Sequence, residues 1–159
     1  MTPTLSICIS LKNDPVEIVE TIKSIRSTAP AHLQICVVDD ASKTWFTSTD
    51  PRVKVKRFEK GVGVGRSRWA AVAMAEGSHI LIIDSHMRFE PGWYEKIMAR
   101  IKASPLTTWC AACPHMSAIN TDLAKAKNEY RGATLCFIDP KPGANPLKTV
   151  FEGKWRRHA

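Results

Sequence analysis

Three uninterrupted apolar runs constrain this chain more than any other feature: "LSICISL" over 5–11, "LQICVV" over 33–38 and "HILII" over 79–83. A strand with one wet face alternates polar and apolar residues, because successive side chains point to opposite sides. Runs without alternation belong to strands buried on both faces, which is the condition of a parallel sheet covered by its own crossover helices. The segments between the runs supply such helices. Asp14, Pro15 and Glu17 read as an N-cap, a first-turn proline and a capping-box acid, followed by Ile18, Ile22 and Ile25 on one helical face, so a helix is expected over about 15–28. "GVGVGRSRWAAVAMAEG" places three glycines ahead of an alanine-rich helix that Gly77 is expected to close as a C-terminal cap. Trp93, Ile97 and Ile101 mark a third helix starting near Pro91. Val53 to Phe58 reads as a short, charged strand near an edge, and "TTWCAAC" as a further strand.

Strand, helix, strand, short strand, helix, strand, helix, strand is the order of an α/β fold with a mostly parallel central sheet between helical layers. Such sheets bind ligands beyond the carboxyl ends of their strands, near the point where strand order reverses. The polar residues collect at those ends: Lys12 to Asp14, Asp39 and Asp40, and Asp84 to His86. After about residue 120 the pattern loosens among Gly132, Pro140, Pro142, Gly143 and Pro146, around apolar pieces at 135–138 and 147–151. The expected organisation is a core over 1–120 and a hairpin or flap with a basic tail over 121–159.

With 159 residues, 44% of them hydrophobic, the chain suits one ordinary domain with a sizeable core. Neither a secretory leader nor an apolar run of the roughly 18 residues needed to cross a bilayer is evident, so a soluble, cytoplasmic protein is expected. Five cysteines, an odd set lying mostly within apolar runs, read as reduced core residues. Cys110 and Cys113 with His115 have half the spacing of a zinc site and lack a second ligand pair. The net charge of +8 favours anionic partners, from nucleotide phosphates to nucleic acid, without choosing among them.

Three clusters bear on chemistry. In an extended segment Asp84 and His86 would share a face and converge on one object, a metal ion, while Ser85 faces away. The glycine-rich entry to the second helix, carrying Arg66 and Arg68, can approach phosphates through backbone N–H and guanidinium groups, or serve as a plain helix start. It follows the charged strand rather than the first one, which weakens a dinucleotide-cofactor reading. Asp39 and Asp40 by themselves read as loop-capping acids.

Taken in order, "SICISLKND", "ICVVDDAS", "GRSRWAAVAMAEGSHILIIDSH" and "PGWYEKI" resemble the nucleotide-binding half of family 2 glycosyltransferases of the GT-A fold, most of all the polypeptide N-acetylgalactosaminyltransferases. The resemblance covers about residues 4–120. It implies a Rossmann-like three-layer sandwich and a UDP-sugar donor. Under it, Ser10 falls against the nucleoside, Asp40 accepts the uracil N3–H, Asp39 supports its loop, and Ser85 lies beside ribose or phosphate. Asp84 and His86 become the ligands of Mn²⁺ (or Mg²⁺), the carboxylate and imidazole pair suiting Mn²⁺ better. Lys60 stands in the neighbourhood where such enzymes often place a nucleotide-contacting arginine. Catalytic residues are not assigned. The relatives continue into an acceptor-binding region, so this chain is expected to be truncated relative to them, with a second chain as one way to complete the acceptor site. A retaining outcome is implied by Asp-Ser-His; protein, glycan and modified DNA stay open as acceptors. The rival readings are a nucleotidyltransferase and a basic nucleic-acid-binding or scaffolding domain without transferase activity.

Overall fold

The computed structural model describes residues 5–104 and, in a second compact unit, the strands 131–136 and 152–157. The expected strand at "TTWCAAC", the Cys110–Cys113–His115 group and the boundary expected near residue 120 lie outside the described residues. In the first unit the elements are β1 (Leu5–Leu11), α1 (Pro15–Thr28), β2 (Gln34–Asp40), β3 (Val53–Phe58), α2 (Val64–Val72), β4 (His79–Asp84) and α3 (Trp93–Ala103). The second unit contains β5 (Arg131–Cys136) and β6 (Glu152–Arg157), paired antiparallel with Arg131 opposite Arg157 and Cys136 opposite Glu152.

All four strands of the first sheet run parallel in the order β3-β2-β1-β4. The chain therefore steps outward from β1 through β2 to β3 and then returns to the other side of β1. The reversal lies between β1 and β4, the crevice in which such sheets place ligands.

Residues registered across parallel strands share a face. On one face Ile7, Ile9, Leu11, Ile35, Val37 and Ile83 join Ile18 and Ile25 of α1 and Trp93 in the larger core cluster. At about 1.5–3 kcal/mol for each large apolar side chain fully buried, this layer supplies most of the driving force for the unit. On the other face Cys8, Cys36 and Val38 pack against Ala71 of α2. Cys8 and Cys36 stand opposite each other in the β1–β2 register as free, buried thiols, as expected of reduced core cysteines. Ile80 and Ile82, on the α2 side of β4, stay 46% and 49% exposed among the described residues.

Two expected caps are replaced by other arrangements. Helix α2 stops at Val72, and Gly77 closes no helix. A Cβ on Gly77 would lie 2.7 Å from the Ser6 nitrogen, so this glycine is required by its approach to the β1 backbone, where its N–H donates to Ser6 Oγ at 2.8 Å. Asp14 occupies the N-cap position of α1 yet makes no side-chain cap bond, and Glu17 turns to Arg88 at 2.8 Å. Among the described residues no helix is long and apolar enough to cross a membrane.

Candidate functional site at the β1–β4 switch point

The register brings Ser10 of β1 opposite Val38 on one side and Asp84 of β4 on the other. Ser10, Asp40 and Asp84 accordingly lie at the carboxyl ends of three adjacent strands, on the α2 face. Ser10 is half-buried and Asp84 exposed. Asp40 is 2% exposed and accepts the N–H groups of Val62 at 2.6 Å and Gly63 at 3.1 Å, with Lys12 Nζ at 3.5 Å. Burial alone would favour its neutral acid. The Val62 and Gly63 donors and the Lys12 ammonium outweigh burial, and the carboxyl is held below its ordinary range. Asp40 thereby pins the glycine-rich entry to α2, whose Gly63 adopts φ 86 at the N-cap, a conformation that favours glycine.

Asp39 points to the opposite face, fully buried, accepting Ser42 N–H at 2.8 Å and Arg57 Nη1 at 3.1 Å. It supports the loop after β2, in which Ala41 takes the left-handed φ of 57. That loop is tied to the one after β1: Asn13, itself at φ 56, donates its N–H to Ser42 Oγ at 2.8 Å and accepts Lys43 N–H on Oδ1 at 2.8 Å.

Asp84 does not stand beside His86 on one extended face. Strand β4 ends at Asp84 and the chain bends at Ser85 and His86, so the two-residue alternation assumed in the sequence stops short of the histidine. Asp84 Oδ1 accepts Arg68 Nη2 of α2 at 2.6 Å, whereas His86 Nδ1 lies 3.4 Å from Asp14 Oδ2. Ser85 is 6% exposed and donates its hydroxyl to that same Asp14 oxygen at 3.0 Å. Among the described residues no three or more His, Cys, Asp or Glu side chains gather as a ready-made metal cage. Lys60 and Arg66 are exposed on either side of the glycine-rich loop.

What holds the bend is a polar seam along α1. Asp14 takes Ser85 Oγ–H, and Glu17 takes Arg88. Thr21 Oγ1 donates to the Ser85 carbonyl at 2.7 Å and accepts Met87 N–H at 2.9 Å. Ser24 Oγ accepts Phe89 N–H at 2.8 Å, and Thr28 Oγ1 accepts Trp93 Nε1–H at 2.9 Å. Positions 14, 17, 21, 24 and 28 recur at helical three-and-four spacing on one face of α1. Sequence reasoning followed the apolar stripe of α1 and missed this polar one, although its periodicity stands in the sequence. Lys12 was placed at a strand end and Arg68 beside phosphates, but their contacts with Asp40 and Asp84 were not foreseen.

This doubly wound parallel sheet, with its polar groups at the carboxyl ends, has the GT-A fold of the glycosyltransferase structures on which it superimposes. Solved structures of S. aureus TarS 1-349 superimpose on this chain with TM-scores of 0.54 and, for the complex with UDP-GlcNAc, 0.56; the latter is 24% identical and covers 63% of this chain and 31% of that one. The family described as Glycosyl transferase family 2 matches residues 6–151, and the chain belongs to that family. Polypeptide N-acetylgalactosaminyltransferase 5 of Caenorhabditis elegans is 30% identical over 120 residues, covering 68% of this chain and 19% of that protein. Polypeptide N-acetylgalactosaminyltransferase 13 of Homo sapiens is 29% identical over 132 residues, covering 76% and 23%. The chain thus spans less than a quarter of the length of these relatives.

Proposed function

We propose that this chain is the donor-binding part of a glycosyltransferase, taking a UDP-sugar together with a divalent cation, Mn²⁺ in preference to Mg²⁺, held by Asp84 and His86. The observation that carries the reading is the meeting of Ser10, Asp84 and the Asp40-pinned glycine loop at the switch point, on one face of the sheet. Family membership and a structural neighbour described in complex with UDP-GlcNAc support the same donor class.

Carboxylate and imidazole are ligand types that Mn²⁺ accepts, and a single ion shared by Asp84 and His86 would draw Asp84 away from Arg68. Asp84 and His86 have side chains 52% and 54% exposed, so both are reachable, and Asp84 is already matched to a cation, the Arg68 guanidinium. That pair is partly exposed and worth about 0–1 kcal/mol, so a divalent ion can displace it cheaply. Two protein ligands leave coordination positions for diphosphate oxygens and water. The cation, when bound, offsets the charge that develops on the departing nucleoside diphosphate. Arg66, exposed at the start of α2, and Lys60 add positive charge for the diphosphate. Asp40 keeps lone pairs for a uracil N3–H beyond those given to Val62 and Gly63. Ser10 borders the nucleoside, and Ser85, buried with its hydroxyl donated to Asp14, enters through Asp14. The acceptor site belongs to parts of the protein beyond this unit, supplied by further chain or by a second subunit. The acceptor is a protein or glycan, and the stereochemical outcome retaining.

Thermal unfolding of the chain with UDP, in Mn²⁺ or in EDTA, tests the reading. With UDP at 100 times its dissociation constant the gain is about 2.7 kcal/mol, present only with the metal. Equal stabilisation in EDTA would refute the cation. A failure to bind UDP together with salt-sensitive binding of DNA would return the chain to a nucleic-acid module.

A further inference from the structure

We propose that Asp14 is the positioning residue of the site: it fixes the tautomer and direction of the His86 ring so that Nε2 is the atom presented to the cation. The inference rests on His86 as a cation ligand and deepens that reading.

Asp14 forgoes an available role. At the N-cap of α1 a carboxylate bonded to the first-turn N–H groups is worth about 1 kcal/mol, and this one makes no such bond. Its Oδ2 instead accepts Ser85 Oγ–H at 3.0 Å and faces His86 Nδ1 at 3.4 Å, across 71 and 72 residues of chain. The carboxylate is set in place from both sides. Pro15 begins the helix immediately after it, and Asn13 before it is tethered by the Ser42 hydroxyl and the Lys43 N–H. Ser85, nearly fully buried, has its carbonyl bonded to Thr21, so its hydroxyl approaches Asp14 from a fixed direction.

An ionised carboxylate accepts hydrogen bonds and cannot donate them, so the ring nitrogen facing it is the one that carries hydrogen. A neutral imidazole with Nδ1–H has its lone pair on Nε2, on the far side of the ring from Asp14. Imidazoles that bind metals characteristically donate their other N–H to a carboxylate or carbonyl in this way, which aims the ring and raises its basicity. Without Asp14 the ring, 54% exposed and outside the strand, has no other bonded contact among the described residues to select a tautomer. This arrangement also gives Ser85 a function: it orients the acid that orients the histidine.

The test uses the full chain. Long-range ¹H–¹⁵N spectra of His86, taken metal-free with the imidazole neutral, should show Nδ1–H in the parent and a shift toward Nε2–H, the form an unconstrained imidazole prefers, in Asp14→Ala. Asp14→Glu, which keeps a carboxylate, should return the ring toward Nδ1–H. Calorimetric titration of Mn²⁺ in the presence of UDP should then find affinity about 10–100-fold lower in Asp14→Ala, with a smaller loss in Ser85→Ala. Thermal melting confirms that each variant is folded before it is scored. A parent in the Nε2–H form, or a folded Asp14→Ala with unchanged tautomer and Mn²⁺ affinity, overturns the proposal. A parent that binds no Mn²⁺ removes the cation reading itself; the tautomer comparison distinguishes that failure from a failure of the Asp14 contact.

Discussion

Thr21→Val is the sharpest probe of the seam that carries the Asp-Ser-His bend. The substitution keeps the shape and β-branching of the side chain and removes only the hydroxyl. Thr21 is fully buried, and its Oγ1 serves two backbone groups of one segment, the Ser85 carbonyl at 2.7 Å and the Met87 N–H at 2.9 Å. A buried polar group left without its partner costs about 1–3 kcal/mol. The Ser85 bond is buried and the Met87 bond only partly so, which places the sum at about 2–4 kcal/mol. Thr21→Ser keeps the hydroxyl and loses a methyl, at about 0.8 kcal/mol, and so separates the hydrogen bonds from packing. Urea denaturation of the two variants beside the parent measures the difference, and amide exchange at Met87 locates it. Because the bend leads directly into His86, Thr21→Val should also weaken Mn²⁺-dependent UDP binding by more than Thr21→Ser does. Equal stability of the two variants, with Met87 exchange unchanged, would refute the claim that this hydroxyl holds the bend.

Two further outcomes follow from the same structure. Gly77→Ala should destabilise by about 1–3 kcal/mol in thermal or urea unfolding, since the new Cβ would meet the β1 backbone 2.7 Å away and that strand cannot yield without disturbing the sheet. Asp50, whose carboxyl is bonded foremost by the Arg52 side chain and also by Arg26, is drawn from its ordinary 3.8 down to about 2, so its contribution is present above about pH 4 and disappears as pH falls toward 2. At about 1.4 kcal/mol per pH unit, and discounting for partial exposure, Asp50→Asn should cost about 1–2 kcal/mol at neutral pH, with the difference from the parent vanishing in acid titrations below pH 2.

The scaffold was legible in the sequence because it depends on composition over short windows. β1, α1 and β3 fall on the expected residues, since unbroken apolar runs and a proline-started amphipathic stretch admit few other structures. β2 runs two residues further than its apolar core, through Asp39 and Asp40, because neighbouring strands continue the ladder beneath the acids. α2 ends five residues before Gly77 for the opposite reason: that glycine answers to β1, a partner distant in sequence, rather than to the helix before it. The strand-end positions of Ser10, Asp40 and Asp84 were legible, and the partners of the residues around them were not. Asp14 and Glu17 match a helix-start pattern, but Ser85 and Arg88 offer them partners that the local pattern cannot reveal. The same-face argument for Asp84 and His86 assumed that the strand outlasts its hydrophobic residues.

The end of that strand is what allows the site to draw on both helical layers. While β4 continues, alternation separates its residues, and Asp84 belongs to the α2 face with Ser10, Asp40 and Arg68. Once the chain bends, Ser85 and His86 are released from alternation and both meet Asp14, on the α1 side. A regular strand extended by two residues would carry Ser85 alone to α1 and return His86 to α2, where Arg68 already stands. The bend instead divides the work: α2 brings a cationic group and a glycine-rich loop to the carboxylate, and α1 brings an acceptor to the imidazole. Thr21, at the middle of the α1 seam, is bonded to the backbone on either side of His86, at Ser85 and Met87. The histidine is thus suspended between two backbone anchors, with its ring governed by Asp14. Loosening the anchors and removing the acceptor should therefore disturb the same histidine by different routes, Thr21→Val through mobility of the segment and Asp14→Ala through the ring's protonation site.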